Sequence, residues 1–197
     1  MDIKIAIAMP TNRGVKAQTV KSLLELDCKY EKHIIIATQG YTISENRIYI
    51  AMQAIKNKCT HILSTDDDMI FPISTLNQLL KHNKDIVGVV ANSRAFPLMP
   101  VVEFFDDDKI SVADRLMGRR DIPKELFECK AVGGGVTLVK TNIYDKIKKP
   151  WYDTETYDFG MTKMGEDSWF CRQIRNEGIK IWCDPQIKIG HIGSYVF

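Results

Sequence analysis

Short apolar runs alternate along the first half of the chain with segments whose apolar residues recur at helical spacing. The runs are typical of strands buried in a sheet, and the segments between them of amphipathic helices. Strands are predicted at residues 3–9, 33–38, 61–65 and 85–90, and helices at residues 16–26, 44–55 and 74–82. Ser44 resembles the N-cap of the second helix. This order predicts a parallel α/β sheet with right-handed crossovers.

The second half has a less regular pattern. Strands are predicted at residues 100–105, 129–139, 179–183 and 187–189, and helices at residues 142–149 and 166–176, with Gly178 at the C′ position. A polar excursion at residues 106–123 and an aromatic, glycine-containing loop at residues 151–164 complete this half. No linker or internal repeat divides the 197 residues, so we expect one domain.

Composition narrows the class of protein. The chain has 27 basic and 25 acidic residues, and this balance gives no support for a nucleic-acid partner, although it does not exclude one. Its 5 cysteines are scattered and never form a Cys-x-x-Cys pair, which argues against disulfides and zinc and for a reducing compartment. The amino terminus does not resemble a signal peptide, and no apolar run approaches the roughly 20 residues of a membrane span. We therefore expect a cytoplasmic protein.

Three consecutive aspartates, Asp66, Asp67 and Asp68, follow the third predicted strand. Ligands of parallel sheets bind outside the carboxyl ends of the strands, so the triplet lies where a site is expected. In an extended chain, Asp66 and Asp68 would point to one side and Asp67 to the other. Two aimed carboxylates suit a hard divalent cation that also takes phosphate oxygens as ligands. The alternative is an acidic surface turn before Pro72.

Three later motifs add to the triplet. Gly165-Glu166-Asp167 opens a predicted helix, where free N–H groups favour a charged carboxylate; it could be a general base or a simple helix cap. His191 follows Gly190 at a strand end and is either structural or a third metal ligand, in which case its nitrogen favours manganese over magnesium. The glycines at 133–135 allow close approach of a ligand to the backbone, or form a bulge.

Taken in order, four segments resemble those of GT-A-type glycosyltransferases that use nucleotide sugars, in particular the small family 2-like enzymes of bacteria and viruses. The first two are Ile7-Ala8-Met9-Pro10-Thr11, similar to the opening strand and nucleotide-binding loop, and Ser44-Glu45-Asn46-Arg47, similar to the helix start near the donor. The third is Ser64-Thr65-Asp66-Asp67-Asp68-Met69, which resembles the Asp-x-Asp metal motif. The fourth is Gly165-Glu166-Asp167 with Gly190-His191, similar to the Glu-Asp helix start and late metal-binding histidine. The set covers nearly the whole chain.

The resemblance implies a GT-A (Rossmann-like) fold, with a mostly parallel central sheet flanked by helices in a single domain over residues 1–197. A nucleotide-binding half at about 1–92 would precede an acceptor-binding and catalytic half at about 93–197. It also implies metal-dependent transfer of a sugar from a nucleoside-diphosphate sugar, most simply a UDP-sugar, to a hydroxyl of a carbohydrate or another acceptor.

The resemblance also assigns roles to individual residues. Those implied to hold Mn²⁺ or Mg²⁺ are Asp66, Asp68 and His191. The implied base is Asp167, with Glu166 as its rival or as a ligand of the acceptor hydroxyl. Those implied at the donor are Pro10, Thr11, Arg47, Asp66, Asp67, Gly134 and Gly135, with Arg94 able to meet a phosphate. Those implied to stack on an acceptor sugar, if they are not core residues, are Trp151, Tyr152 and Trp169.

The mechanism that the resemblance favours is a single displacement that inverts the anomeric carbon, although a retaining outcome stays open. The chain ends six residues after His191, before the helices that many relatives use for acceptors or membranes. We therefore expect the acceptor to be held by residues 101–120 and 151–164, or by a partner chain.

Three rival functions share the clustered carboxylates or the nucleotide. They are a metal-dependent phosphohydrolase, a nucleotidyltransferase and a non-catalytic nucleotide-sugar-binding module. Phosphatases with an Asp-x-Asp motif place it after the first strand, whereas here it follows the third predicted strand. A dinucleotide enzyme is disfavoured because no Gly-x-Gly-x-x-Gly follows the first strand.

Overall fold

The computed structural model describes residues 2–38, 40–94, 98–106 and 121–193. Most of the polar excursion predicted at residues 106–123 lies outside the described residues, as does much of the 101–120 segment that was expected to hold an acceptor.

The described chain alternates strands and helices in its first half and is richer in short strands in its second. In order, the elements are β1 (Lys4–Pro10), α1 (Ala17–Glu25), β2 (Glu31–Ala37), α2 (Ile43–Lys56), β3 (His61–Thr65), β4 (Met69–Ile70), α3 (Thr75–Lys81), β5 (Ile86–Val89), β6 (Val102–Glu103), β7 (Phe127–Cys129), β8 (Ala131–Val132), β9 (Val136–Lys140), a 3-10 helix (Thr141–Asp145), β10 (Glu155–Thr156), β11 (Thr162–Met164), α4 (Glu166–Asn176), β12 (Ile181–Asp184) and β13 (Gly190–His191).

A central sheet of 7 strands has the order β2-β1-β3-β9-β5-β12-β7. The four strands predicted in the first half, β1, β2, β3 and β5, run in one direction together with β12, so the mostly parallel α/β sheet is confirmed. Strands β9 and β7 run the opposite way, and β9 lies between β3 and β5. The beginning of β9 therefore meets the end of β3 at the same edge of the sheet.

Each face of the sheet is covered by its own helices. In β1, Ile5 and Ile7 pack into the core that includes Leu76 and Leu79 of α3. The intervening alanines of β1 pack into the other core, which contains residues of α2 and α4, among them Ile50. This alternation between faces is the period of two that a strand requires.

The short strands of the second half differ from the prediction. The strand expected over residues 129–139 is divided among three strands: Cys129 ends β7, and β8 and β9 follow, separated by the glycines at 133–135. The strand expected over residues 187–189 is wrong in position: β13 lies at residues 190–191 and pairs with β4. Gly178 has φ +72° after the C-cap of α4, which confirms its C′ position. None of the helices among the described residues is long and apolar enough to cross a bilayer.

The prediction that Ser44 caps α2 is wrong, because Thr42 performs this role. The Thr42 hydroxyl accepts a hydrogen bond from the backbone N–H of Glu45 at 3.2 Å, and the Glu45 carboxylate accepts one from the Thr42 N–H at 2.9 Å. This reciprocal pair is a capping box, and it satisfies two N–H groups that the helix cannot pair itself.

Replacing Thr42 with alanine should lower the free energy of unfolding by about 1 kcal/mol, because the capping hydroxyl is lost. Chemical denaturation measures the change. Ser44→Ala is the matched control: Ser44 lies inside the first turn of α2, so its loss should leave stability unchanged or slightly higher. Equal destabilisation by the two substitutions would contradict this assignment of the cap.

Candidate active site

All three aspartates of the triplet line one cleft of about 420 Å³ at the edge where β3 ends. We name it the aspartate cleft. Because β3 ends at Thr65, the triplet lies in a turn, and the strict alternation expected of an extended chain does not apply. Each carboxylate has its own partner: Asp66 contacts Arg47, Asp67 accepts from the Thr11 hydroxyl, and Asp68 contacts Arg94.

The loop after β1 is held against the triplet and supplies one wall of the cleft. The buried Thr11 hydroxyl donates to Asp67 and accepts from the N–H of Gly14 at 3.0 Å. The Asp67 carbonyl accepts from the Lys16 N–H at 2.9 Å, just before α1 begins. These bonds leave Asn12 and its neighbours facing the cleft, while Thr11 itself is buried beneath it.

Arg47, on α2, is the charge centre of the site, with a side chain that is only 4% exposed. Its Nη2 lies 3.0 Å from Asp66 Oδ1 and 3.2 Å from Asp167 Oδ1. Its Nε lies 3.4 Å from Glu166 Oε1, and its Nη1 donates to the Ser64 hydroxyl at 3.0 Å. One buried cation thus connects the triplet after β3 with the first turn of α4. We name Arg47 and these three carboxylates the ion cluster.

The ion cluster shifts two pKa values. Burial lowers the pKa of the Arg47 guanidinium, but the three surrounding carboxylates outweigh burial and hold this pKa above its ordinary value. Burial is the largest influence on Asp167 and raises its pKa from 3.8 to about 6. The Arg47 charge opposes that rise, the two neighbouring carboxylates add to it, and a hydrogen bond from the Gly134 backbone also opposes it. Asp167 is therefore a carboxyl group that can exchange a proton close to neutral pH.

The glycines before β9 close the ion cluster. The Gly134 N–H donates to Asp167 Oδ2 at 2.7 Å. A Cβ at position 134 would clash with the Arg47 guanidinium and lie 2.5 Å from Asp167 Oδ1, so a side chain there would displace the ion cluster. The Gly135 carbonyl accepts from the Asp66 N–H at 3.0 Å. Both glycines thus border the ion cluster, and their contact with a donor sugar stays a prediction.

His191 reaches the triplet because β13 pairs with β4, directly after the aspartates. Its Nε2 lies 3.2 Å from Asp68 Oδ1, and its Nδ1 lies 2.8 Å from the Asn92 carbonyl oxygen. A carbonyl only accepts, so Nδ1 carries the hydrogen, and a neutral imidazole turns a bare Nε2 toward the carboxylate. A proton or a metal cation between these two atoms satisfies both.

The predicted metal ligands share the aspartate cleft. Asp68 and His191 are in contact with each other, whereas the Asp66 carboxylate is paired with Arg47. In the part of the chain that the structure describes, no three acidic, imidazole or thiol groups converge into a complete metal centre. Asp68 and His191, whose ring is held by the Asn92 carbonyl, are oxygen and nitrogen donors of the kind that a divalent ion uses together with water and phosphate. Metal binding by Asp66, Asp68 and His191 together stays a prediction.

The three aromatic residues predicted to bind an acceptor lie outside the aspartate cleft. Trp151 and Tyr152 are 7% and 8% exposed, and Tyr152 stacks on Phe170 with ring centroids 4.4 Å apart. Trp169 is half-buried, and its Nε1 donates to the Pro150 carbonyl at 3.2 Å. Acceptor binding by these rings stays a prediction, and packing is the role that the first two perform here.

Sequence reasoning missed two features of the site. Asn12, Arg13 and Ile43 line the aspartate cleft, and none of them had been assigned a role. The buried Asn46 amide donates to Asn12 Oδ1 at 2.7 Å and so fixes this loop. The sequence did offer a signal for Asn12 and Arg13, because both follow the end of β1, where ligands of such sheets bind. The other omission is the ion cluster, because Arg47 was assigned to the nucleotide and not to the carboxylates.

Replacing Arg47 with methionine should lower the free energy of unfolding by roughly 3–5 kcal/mol, because three partly buried carboxylates lose their shared cation. Denaturant titration measures this loss. Arg94→Met is the control, since the side chain of Arg94 is 45% exposed and pairs with Asp68 at 2.7 Å. Because the guanidinium of Arg94 stays largely in water, although Asp68 is buried, its loss should cost less, about 1 kcal/mol. Comparable losses of stability in Arg47→Met and Arg94→Met would contradict the claim that the burial of Arg47 makes its ion pairs stabilising.

The raised pKa of Asp167 predicts how stability depends on pH. The folded state keeps the proton up to about 6, whereas the unfolded chain releases it near 3.8. The folded state therefore binds more protons in this window, and the free energy of unfolding should fall as pH rises through it. Asp167→Asn removes the titration, so its stability profile should lack that fall. Identical slopes for the native protein and the variant would contradict the shift.

Two solved structures share this architecture over nearly the whole chain. A197 from STIV superposes with a TM-score of 0.62 at 16% identity, covering 96% of this chain and 86% of that one. GalNAc-T7, solved with UDP, GalNAc and Mn²⁺, superposes with a TM-score of 0.64 at 9% identity, covering 99% of this chain and 44% of that one. The chain therefore spans less than half the length of GalNAc-T7.

No protein-family model and no curated protein sequence matches the chain. At these low identities, the structural likeness speaks for the fold alone. GalNAc-T7 is a GT-A glycosyltransferase, and the match to it agrees with the mostly parallel sheet described above. The fold of this chain is GT-A-like.

Proposed function

We propose that this protein is a metal-dependent glycosyltransferase, which moves a sugar from a nucleoside-diphosphate sugar to an acceptor hydroxyl. One observation carries the proposal: the aspartate cleft gathers the loop after β1, the triplet after β3, the start of α4 and His191 from distant parts of the chain. The fold supports it, since a protein of similar fold was solved with UDP, GalNAc and Mn²⁺.

The donor would lie in the aspartate cleft with its diphosphate near Asp68 and His191. Asp66, Asp68 and His191 would hold Mn²⁺ or Mg²⁺, and the ion would neutralise the charge that grows on the departing diphosphate. Arg94 contacts Asp68 at 2.7 Å and is half-exposed, so its guanidinium can move onto a phosphate. Pro10 and Arg13 line the same cleft beside Asp67, where the nucleotide of a UDP-sugar would lie.

Asp167 would be the base that takes the proton from the acceptor hydroxyl. Its pKa of about 6 leaves it mostly ionised at neutral pH and still able to accept a proton. Arg47 and the Gly134 N–H hold this carboxylate in place. Attack of the acceptor oxygen on the anomeric carbon from the face opposite the diphosphate would invert the configuration. Glu166, which lines the aspartate cleft, is the rival base.

The donor site predicts stabilisation by nucleotides that depends on metal. UDP and UDP-sugars should raise the melting temperature in the presence of Mn²⁺. A ligand at a concentration of 100 times its Kd adds about 2.7 kcal/mol to the free energy of unfolding. Thermal-shift measurements with and without the ion test this. His191→Ala should remove the dependence of this stabilisation on Mn²⁺. Lys56→Ala is the control and should keep the dependence, because Lys56 is exposed at the carboxyl end of α2. Indifference to every nucleotide tested would end the donor-site proposal.

The base is identified by comparing Asp167→Asn with Glu166→Gln. Asp167→Asn should keep donor binding and lower the rate of sugar transfer by about 10²–10⁴-fold, because the general base is lost. In the native protein, the rate should rise with pH up to about 6 and then level off, as Asp167 ionises. A normal rate in Asp167→Asn with a loss in Glu166→Gln would transfer the role to Glu166. Release of free phosphate or pyrophosphate in place of sugar transfer would favour the rival phosphohydrolase or nucleotidyltransferase.

A further inference from the structure

A second cavity of about 280 Å³ lies beside the aspartate cleft. We name it the valine chamber, because Val101, Val102 and Val132 form its apolar wall. Glu166 lines both the valine chamber and the aspartate cleft, and Asp167 lines the valine chamber as well. The first turn of α4 thus lies between two cavities, one that would hold the donor and one that faces the two carboxylates from another side.

The polar side chains of the chamber are acidic. Glu103 joins Glu166 and Asp167 in its wall, and the Glu103 carboxylate accepts from the Ser168 hydroxyl. Lys130 lies 3.8 Å from Glu103 but outside the wall. No basic side chain is present among the described residues that line the chamber. A negatively charged group placed inside would therefore meet three partly buried carboxylates, whereas Arg47 and Lys130, which pair with them, lie outside the wall.

The size and apolar wall of the chamber restrict what can enter. A cavity of about 280 Å³ is at the lower end of ligand pockets and suits a single small ring or side chain. The three valines favour a ligand with an apolar face, since that face loses contact with water on entry.

We propose that the valine chamber selects the acceptor, as an uncharged hydroxyl compound with an apolar flank, and rejects phosphorylated compounds. This inference rests on the proposed transfer reaction. There, the acceptor oxygen would form a bond to the anomeric carbon, the bond from that carbon to the diphosphate oxygen would break, and the electron pair would leave with the diphosphate. The acceptor proton would pass to Asp167. Nucleic acid, whose backbone is anionic, is disfavoured as acceptor by the same three carboxylates.

The test compares acceptors that differ in one charge. Saturation-transfer NMR on the native protein should detect an alkyl glycoside and give at least 10-fold weaker binding for the same glycoside carrying a 6-phosphate. A neutral threonine-containing peptide shows whether the hydroxyl compound is a sugar or a polypeptide side chain. Because no donor is present, this measurement tests the valine chamber even if the transfer reaction fails.

Variants of two wall residues locate the binding. Val101→Lys places a cation in the chamber and should improve binding of the phosphorylated glycoside about 10-fold. Val20→Lys on α1 is the matched control, because Val20 and Val101 are 39% and 40% exposed and Val20 lines neither cavity. Gly165→Val should weaken the binding of every acceptor. Gly165 lines the chamber, and a Cβ there meets no protein atom within 4 Å, so the valine side chain is accommodated and takes up space that a ligand would use.

The outcomes separate this inference from the proposed function. Equal binding of the neutral and phosphorylated glycosides, or equal effects of the two lysine variants, would overturn the selection of uncharged acceptors. Normal donor stabilisation with no acceptor binding would overturn the role of the chamber and leave the donor site intact. Acceptor binding without any donor stabilisation would overturn the transferase proposal and leave the chamber as a binding site for neutral hydroxyl compounds.

Discussion

The structure of the site depends on the burial of one guanidinium among three carboxylates. Arg47 contacts Asp66 on the side of the aspartate cleft, and Glu166 and Asp167 at the start of α4. Without this cation, the carboxylates would repel one another, and two elements from opposite halves of the chain would not approach so closely. The same contact explains why glycine suits position 134, since a side chain there would displace the guanidinium.

The proposed function places two chemical requirements on this arrangement. A metal–diphosphate site would need ionised carboxylates, whereas a base for a hydroxyl would need a carboxylate that still binds a proton readily. Asp67 and Asp68 accept hydrogen bonds from Thr11 and Arg94, whereas burial and neighbouring carboxylates raise the pKa of Asp167 to about 6. Carboxylates of one site thus have different surroundings, as the two proposed roles require.

Local patterns predicted much of the fold and part of the site. Apolar periodicity placed β3 and α4 at their observed bounds, and Gly178 marked the end of α4 correctly, because these signals act within one element. The insertion of β9 between β3 and β5 has no local signal, since it depends on pairing between distant segments. For the same reason, sequence reasoning found the residues around Arg47 but not their contact with it, and it placed the cap of α2 two residues too late.

The position of β9 has a consequence for how the protein is made. Until Val136–Lys140 emerges from the ribosome, β3 and β5 have no strand between them, and each exposes unpaired backbone groups to other chains. The central sheet therefore closes only after residue 140 has been synthesised, and until then these strands carry edges with which other chains can pair. The edge that carries the aspartate cleft is thus completed only when β9 arrives, because β9 pairs with the end of β3 there.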